Sequence, residues 1–182
     1  MSEEKKPKAK SNSSQADALA EKIVETSRDL AKKLPILGNV IWLYHQSTNH
    51  RYMFFRDIEH HLMPALTKDQ YKLYLHSETG GLPMAFISWA YLSDEAEQIY
   101  LETQKIAPKD WDSGDNLWLI DAVSPFSESN ALFQQAYQEL FQDRQVNVLF
   151  PDENGVMQKS SLMEIATIFA MQSADADDNI KH

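Results

Sequence analysis

Apolar and polar positions change period along the chain, and the changes of period mark the elements. Leu19, Ile23, Leu30 and Leu34 recur near helical spacing between Ala16 and Leu34, which predicts an amphipathic helix leading to Pro35. The segment before it, Met1 to Gln15, carries Lys5, Lys6, Lys8, Lys10, Pro7 and several serines, and is too polar to bury a core. It reads as disordered. Ile36 to Tyr44 is apolar and aromatic and His45 to Arg51 is polar, the pattern of an element that delivers a loop. Phe54, Phe55, Ile58 and Leu62 then fit one helical face, with Pro64 ending or kinking that helix.

The second half of the chain reads mostly as strands. Tyr71 to His76 and Met84 to Ala90 are aromatic and apolar runs joined by Thr79-Gly80-Gly81-Leu82-Pro83, which predicts an antiparallel hairpin. Ser93 with Asp94 and Glu95 caps a short helix. In a third strand, Leu117 to Val123, a period of two puts Leu117, Leu119, Asp121 and Val123 on one face. Leu132, Phe133, Ala136, Tyr137, Leu140 and Phe141 form a helical stripe, and Val146, Val148 and Phe150 alternate as a fourth strand. Asp152 to Gly155 turns the chain, and Ser161 with Glu164 forms a capping box that opens a last helix through about Met171. The fold class that follows is α+β, a central, mostly antiparallel sheet flanked by helices. The organisation drawn from these signals is an extension over 1–33, a main domain over 34–174 and a polar tail over 175–182.

Composition narrows the function classes. At 182 residues and 43% hydrophobic, the chain suits one domain with a sizeable core. It has no apolar run near the roughly 18 residues of a membrane span and no apolar-centred leader, so a cytoplasmic protein is expected. The net charge of −10 argues against wrapping nucleic acid. That charge is uneven: residues 1–33 hold eight Lys and Arg against six Asp and Glu, a balance of +2, and the remainder hold nine against twenty-one, a balance of −12. With no cysteine there is no disulfide, thiolate metal site or thiol nucleophile.

Two residues invite a chemical reading. His50 ends the polar segment Ser47-Thr48-Asn49-His50, where a loop can present an imidazole to a ligand, although a surface histidine without a role satisfies the same sequence. Asp121 is the sharper anomaly, because burying a carboxylate costs several kcal/mol, on the order of 3–5, unless it is paired. Its partner is either a functional group or a structural arginine or amide. His45, His60, His61, His76 and His182 show no pattern that assigns them a role. No His-x-x-x-His pair occurs, so no metal is expected, and no glycine-rich phosphate loop is present.

The motifs themselves carry a resemblance. Ile36-Leu37-Gly38-Asn39-Val40-Ile41-Trp42-Leu43, Ser47-x-x-His50-Arg51 and Leu62-Met63-Pro64-Ala65-Leu66 resemble the N-terminal half of the RTX toxin-activating lysine acyltransferases. Pro83-x-Ala85-x-x-Ser88-Trp89-Ala90-x-Leu92-Ser93, Asp110-Trp111-x-Ser113-Gly114-Asp115-x-x-Trp118-x-Ile120-Asp121 and Ser124-Pro125-Phe126 continue it in the same order. The resemblance implies a GNAT-like acyltransferase fold and transfer of a fatty acyl group from acyl carrier protein to internal lysines of an RTX protoxin or other RTX protein. It places the family's essential histidine on His50 and its functional aspartate on Asp121, with Ser47 in support. It needs no cofactor beyond the acylated carrier, and a homodimer is left open.

On this reading His50 takes the amine proton, or accepts the acyl group first, while Asp121 fixes the imidazole tautomer. An acidic carrier requires a local basic surface, for which Arg51, Arg56, Lys68 and Lys72 are candidates, with the lysines of residues 5–10 as a mobile arm. Two other classes stay open at this point: a non-catalytic module or chaperone that binds an RTX protein, and an acyl thioesterase using the same pair.

Overall fold

A computed structural model describes residues 10–76, 80–126 and 129–167. The chain divides into two compact units, Met1–Pro35 and Ile36–His182. The first element, α1, is one helix over Lys10–Gln46 with Pro35 in its interior. Two expectations are corrected here. The helix begins inside the polar segment read as disordered, and it continues through the proline instead of ending before it. A proline removes one main-chain hydrogen bond and crowds the preceding turn. The eleven residues that follow offset this, because Ile36, Leu37, Val40, Leu43 and Tyr44 recur at helical spacing and pack into one core cluster.

The second unit is built on a five-stranded sheet in the order β1-β2-β3-β4-β5. Its strands are β1 (Tyr71–His76), β2 (Leu82–Leu92), β3 (Asn116–Val123), β4 (Asn147–Pro151) and β5 (Met157–Ser161). All neighbours pair antiparallel except β3 and β4, which are parallel and joined by the crossover helix α5 (Ser129–Leu140). The α+β class and the mostly antiparallel sheet flanked by helices are as expected, and the arrangement agrees with a GNAT-like fold. The fifth strand was not anticipated, because Met157-Gln158-Lys159-Ser160-Ser161 is almost wholly polar and lies at the sheet edge. A helical segment over 162–167 follows it. There the Glu164 carboxylate accepts the Ser161 amide at 3.1 Å, one arm of the capping box. The expected continuation to Met171 and the polar tail lie outside the described residues.

The sheet has a core on each face. On one, Ala85, Ile87, Leu117 and Leu119 meet Leu132 and Ala136 of α5 and Leu162 and Ile165. On the other, Ala90, Leu92 and Trp118 meet Ala96 and Tyr100 of α4 (Asp94–Thr103). Farther along that face, Phe86 and Val123 meet Val40, Leu43 and Tyr44 of α1, and Leu62 and Leu66. Leu62 and Leu66 belong to a winding segment made of a 3-10 turn (Phe55–Asp57), α2 (Ile58–His61) and α3 (Met63–Thr67), with Pro64 in the first turn of α3, where a missing N–H costs least.

A break in the β2–β3 register decides where the carboxylate of β3 points. Ser88 faces Asp121 but Trp89 faces Leu119, so Ile120 is an extra residue on β3 without an opposite number, a β-bulge. Before the bulge, Leu117 and Leu119 pack on the α5 face while Trp118 and Ile120 pack on the α4 face. After it the alternation is inverted: Ala122 turns to the α5 face and Val123 to the α1 face. Asp121, opposite Ser88, goes with Val123. The single face inferred for Leu117, Leu119, Asp121 and Val123 is therefore wrong, because strict period-two counting cannot see an inserted residue.

The loop into β3 fixes the bulged strand against β2. Tyr91 accepts the amides of Ser113 at 2.7 Å and Gly114 at 3.2 Å and gives its own to Trp111 at 3.0 Å. Gly114 is required by proximity, since a Cβ there would lie 2.5 Å from Ser93 Cα and 2.6 Å from Leu92 O, both main-chain atoms. Gly114→Ala should lose about 1–3 kcal/mol of stability, the usual cost of forcing an extra carbon into a packed site. Urea denaturation of the variant beside the wild type checks this, and an unchanged midpoint would contradict the packing described.

Candidate active site

Helix α1 ends at Gln46 and the chain folds back at once. Ser47 closes the helix with its amide on Leu43 O at 3.0 Å, Arg51 N returns to Ser47 O at 3.1 Å, and Met53 N returns to His50 O at 2.9 Å. These tight turns bring positions 47 and 50 face to face. Ser47 Oγ lies 2.8 Å from His50 Nδ1. On the far side of the ring, His50 Nε2 lies 3.0 Å from Asp121 Oδ1, across 71 positions of sequence. The ring is stacked on Tyr44, with centroids 4.9 Å apart and planes inclined by 10°.

Asp121 is only 6% exposed and receives more than His50. The Tyr44 hydroxyl donates to its Oδ2, and His61 Nε2 stands 3.4 Å from the same oxygen. Burial by itself raises the carboxyl pKa, but the hydrogen bonds and charges of His50 and His61 outweigh it and hold Asp121 well below the usual carboxylate range. Asp121 is ionised at neutral pH. Burial, then the charge of Asp121, push the Tyr44 phenol well above its ordinary value, so Tyr44 remains a neutral donor. For His61 the opposition runs the other way. Burial lowers it, yet pairing with Asp121 and the charge of Asp57 leave it above its ordinary value of about 6.5.

With an ionised Asp121 accepting at Nε2, His50 carries its proton there. Nδ1 is then the basic nitrogen, and the Ser47 hydroxyl donates to it. Serine, imidazole and carboxylate form a continuous line in which the imidazole is oriented from both sides.

Beside this line lies a pocket of about 780 Å³, within the range of small-molecule sites. Its apolar walls include Met53, Phe54, Ile99, Ile106, Trp111 and Ile120, and His61 and Tyr100 face it as well. The indole of Trp111 is fixed by donating to Trp89 O at 3.0 Å. Among the described residues, no group of three or more His, Cys, Asp or Glu side chains is disposed to hold a metal ion, and no helix is long and apolar enough to cross a membrane.

A family description for the RTX toxin acyltransferases matches residues 29–163, about three quarters of the chain. The chain belongs to the RTX toxin acyltransferase family. Among relatives in that family, the leukotoxin-activating lysine-acyltransferase of Mannheimia haemolytica serotype A1 is 34% identical over 105 residues, 57% of this chain and 61% of the relative. The RTX-II toxin-activating lysine-acyltransferase of Actinobacillus pleuropneumoniae is 35% identical over 104 residues, 57% and 63% of the two chains. A protein-lysine myristoyltransferase of Escherichia coli is 36% identical over 107 residues, 58% and 61%. The match thus spans a little over three fifths of each of these relatives.

The other residues singled out in the sequence are placed as follows. Arg51 and Arg56 are exposed between His50 and α2, with guanidinium groups 5.7 Å from the Tyr52 ring and 5.1 Å from the Phe54 ring, and Arg56 also reaches the pocket. Lys68 is drawn to Asp112 at 3.8 Å, and Lys72 stands on β1 over the Tyr74 ring at 5.8 Å. The lysines of residues 5–8 lie outside the described residues. Tyr44 and His61 were not anticipated. Tyr44 sits in an apolar run that reads as core. His61 reads as one of two adjacent histidines with no spacing to a third ligand, and only the fold brings it to Asp121.

Proposed function

We infer that this chain is a protein-lysine acyltransferase that moves a fatty acyl group from acyl carrier protein to lysines of an RTX protein. The observation that carries the reading is the His50–Asp121 contact at 3.0 Å with Ser47 on the other ring nitrogen. A lysine amine with a pKa near 10.4 is neutral in only about one molecule in a thousand at pH 7.5, so a base at the site accelerates amide formation. Because His50 Nδ1 faces Ser47, the amine proton passes to His50 through the serine hydroxyl. Asp121 holds the Nε2–H tautomer and stabilises the imidazolium. The apolar pocket gives the acyl chain a dry wall, and the exposed Arg51, Arg56 and Lys72 offer cations to an acidic carrier. The relatives named as activating toxins by lysine acylation support the recipient class.

The test is incubation of the full chain with acylated carrier protein and an RTX protoxin, followed by mass spectrometry of the protoxin's lysines. Lysine-linked acyl chains are expected, and His50→Ala should slow their appearance by about 10²–10⁴-fold, the range for a positioned proton acceptor. Release of free fatty acid at the same rate with no lysine acceptor would make the protein a thioesterase. Tight binding of the protoxin without turnover would make it a binding module.

A further inference from the structure

The site holds two imidazoles on one carboxylate, and they are not equivalent. His50 has both ring nitrogens engaged, one face stacked on Tyr44, and a side chain 17% exposed. The side chain of His61 is 32% exposed and lines the pocket, with Nε2 at Asp121. No described residue makes a hydrogen bond to its Nδ1. A base that is fully tethered and an imidazole with a nitrogen left for the ligand are the two halves of an acid–base pair.

Resting on the acyl-transfer reading above, we propose that His61 is the general acid of the reaction, giving its Nδ1 proton to the sulfur of the departing carrier thiol. In that step the lysine nitrogen bonds to the thioester carbonyl carbon and its proton goes to His50 through Ser47. The tetrahedral adduct collapses, the C–S bond breaks with its electron pair on sulfur, and that sulfur takes the proton from His61. The products are the amide and a neutral thiol. His50 has gained one proton and His61 has lost one, and exchange with water restores both. A thiol with a pKa near 8.5 leaves as an unfavourable anion at neutral pH unless it is protonated as it goes.

The surroundings favour a protonated His61. Asp121 faces it from β3 and Asp57 from the 3-10 turn, and both favour the cation. The Tyr44 hydroxyl, on the same carboxylate oxygen, is neutral. Tyr100 of α4, beside the pocket, is held protonated by burial and by the charge of Asp121. His50 shares the carboxylate, and His60, Arg56 and Lys105 border the same pocket as the cations or potential cations that oppose it.

The test varies the leaving group. Lysine acylation is measured for wild type, His61→Gln and His50→Gln with one acyl group presented either on carrier protein, an alkyl thioester, or as an aryl thioester whose thiol departs readily as an anion. His61→Gln should lose about 10²-fold in kcat/KM with the carrier and less than about tenfold with the aryl donor. His50→Gln should lose similar activity with both, since its proton comes from the amine. In the wild type, the fall of kcat/KM on the alkaline side of the pH profile should be present with the carrier and absent with the aryl donor, a result that needs no variant. If wild type acylates lysine but both donors suffer equally from His61→Gln, or both show the same alkaline limb, His61 is not the acid. If wild type acylates no lysine from either donor, the transferase reading fails and takes this role with it.

Discussion

On the proposed acyl transfer, Asp121→Asn should leave a folded protein that acylates lysine about 10⁴-fold more slowly than wild type, the scale of loss when the carboxylate behind a catalytic imidazole becomes an amide. The carboxylate takes His50 on one oxygen and Tyr44 and His61 on the other. An asparagine keeps one accepting oxygen and turns a donating NH2 toward the remaining partners. Whichever way the amide is placed, at least one partner meets a donor where it had an acceptor. If the oxygen goes to Tyr44, His50 must flip its proton to Nδ1, and the basic nitrogen no longer meets Ser47. Time courses of lysine acylation read by mass spectrometry, with near-ultraviolet circular dichroism to establish folding, decide the matter. A folded Asp121→Asn protein within tenfold of wild type would sink the role given to the carboxylate.

The same substitution should flatten the dependence of stability on pH at both ends. The Asp121 pKa is depressed in the folded state, so its contribution is complete above the unfolded value of about 3.9 and is lost as pH falls through the lowered value. His61 is raised, so its contribution is complete below about 6.5 and is lost as pH rises through the raised value. Removing the charge they share removes the acid limb and leaves the burial of His61 opposed by Asp57 alone, so stability no longer falls as pH rises through the His61 range, which urea midpoints across a pH series would reveal.

The largest effect on stability is expected at Trp118. Its side chain is fully buried, Tyr100 meets the ring edge-on at 5.2 Å, and the Lys159 ammonium lies 5.4 Å above it. Its indole N–H donates to Glu97 Oε1 at 2.8 Å, the same oxygen that Lys159 reaches at 2.7 Å from β5. Trp118→Ala should cost about 3–5 kcal/mol, the range for deleting a large aromatic side chain from a core. It also removes one of the two donors that compensate Glu97, which is itself only 8% exposed. Trp118→Phe keeps much of the volume and should cost less. A loss below about 1 kcal/mol for the alanine variant, read from urea denaturation, would mean that the core is not organised around this ring.

Much of the fold could be read from periodicity because the decisive interactions are local. The β1–β2 hairpin, the cap on α4 and the stripe of α5 each follow from residues within about twenty positions of one another. The course of α1 through Pro35 could not be read that way, since it depends on Val40, Leu43 and Tyr44 finding Leu62, Phe86 and Val123. The candidate site divides along the same line. Asp121 stood out because a charge in an apolar strand demands a partner, and the resemblance to the RTX toxin-activating acyltransferases suggested His50. Tyr44 and His61 gave no such signal. They become intelligible only when residues 77 and 60 positions from Asp121 arrive at one carboxylate.

The bulge at Ile120 makes the site depend on strand register as well as residue identity. Every residue of β3 beyond it owes its facing to that one unpaired position. The strand can therefore accept another apolar side chain at position 120 while keeping Asp121 turned toward His50. Regular pairing of Ile120 would leave all the site residues encoded, yet would put the carboxylate in register with the opposite layer. For this protein, a slip of register within β3 is a graver injury than most changes of spelling.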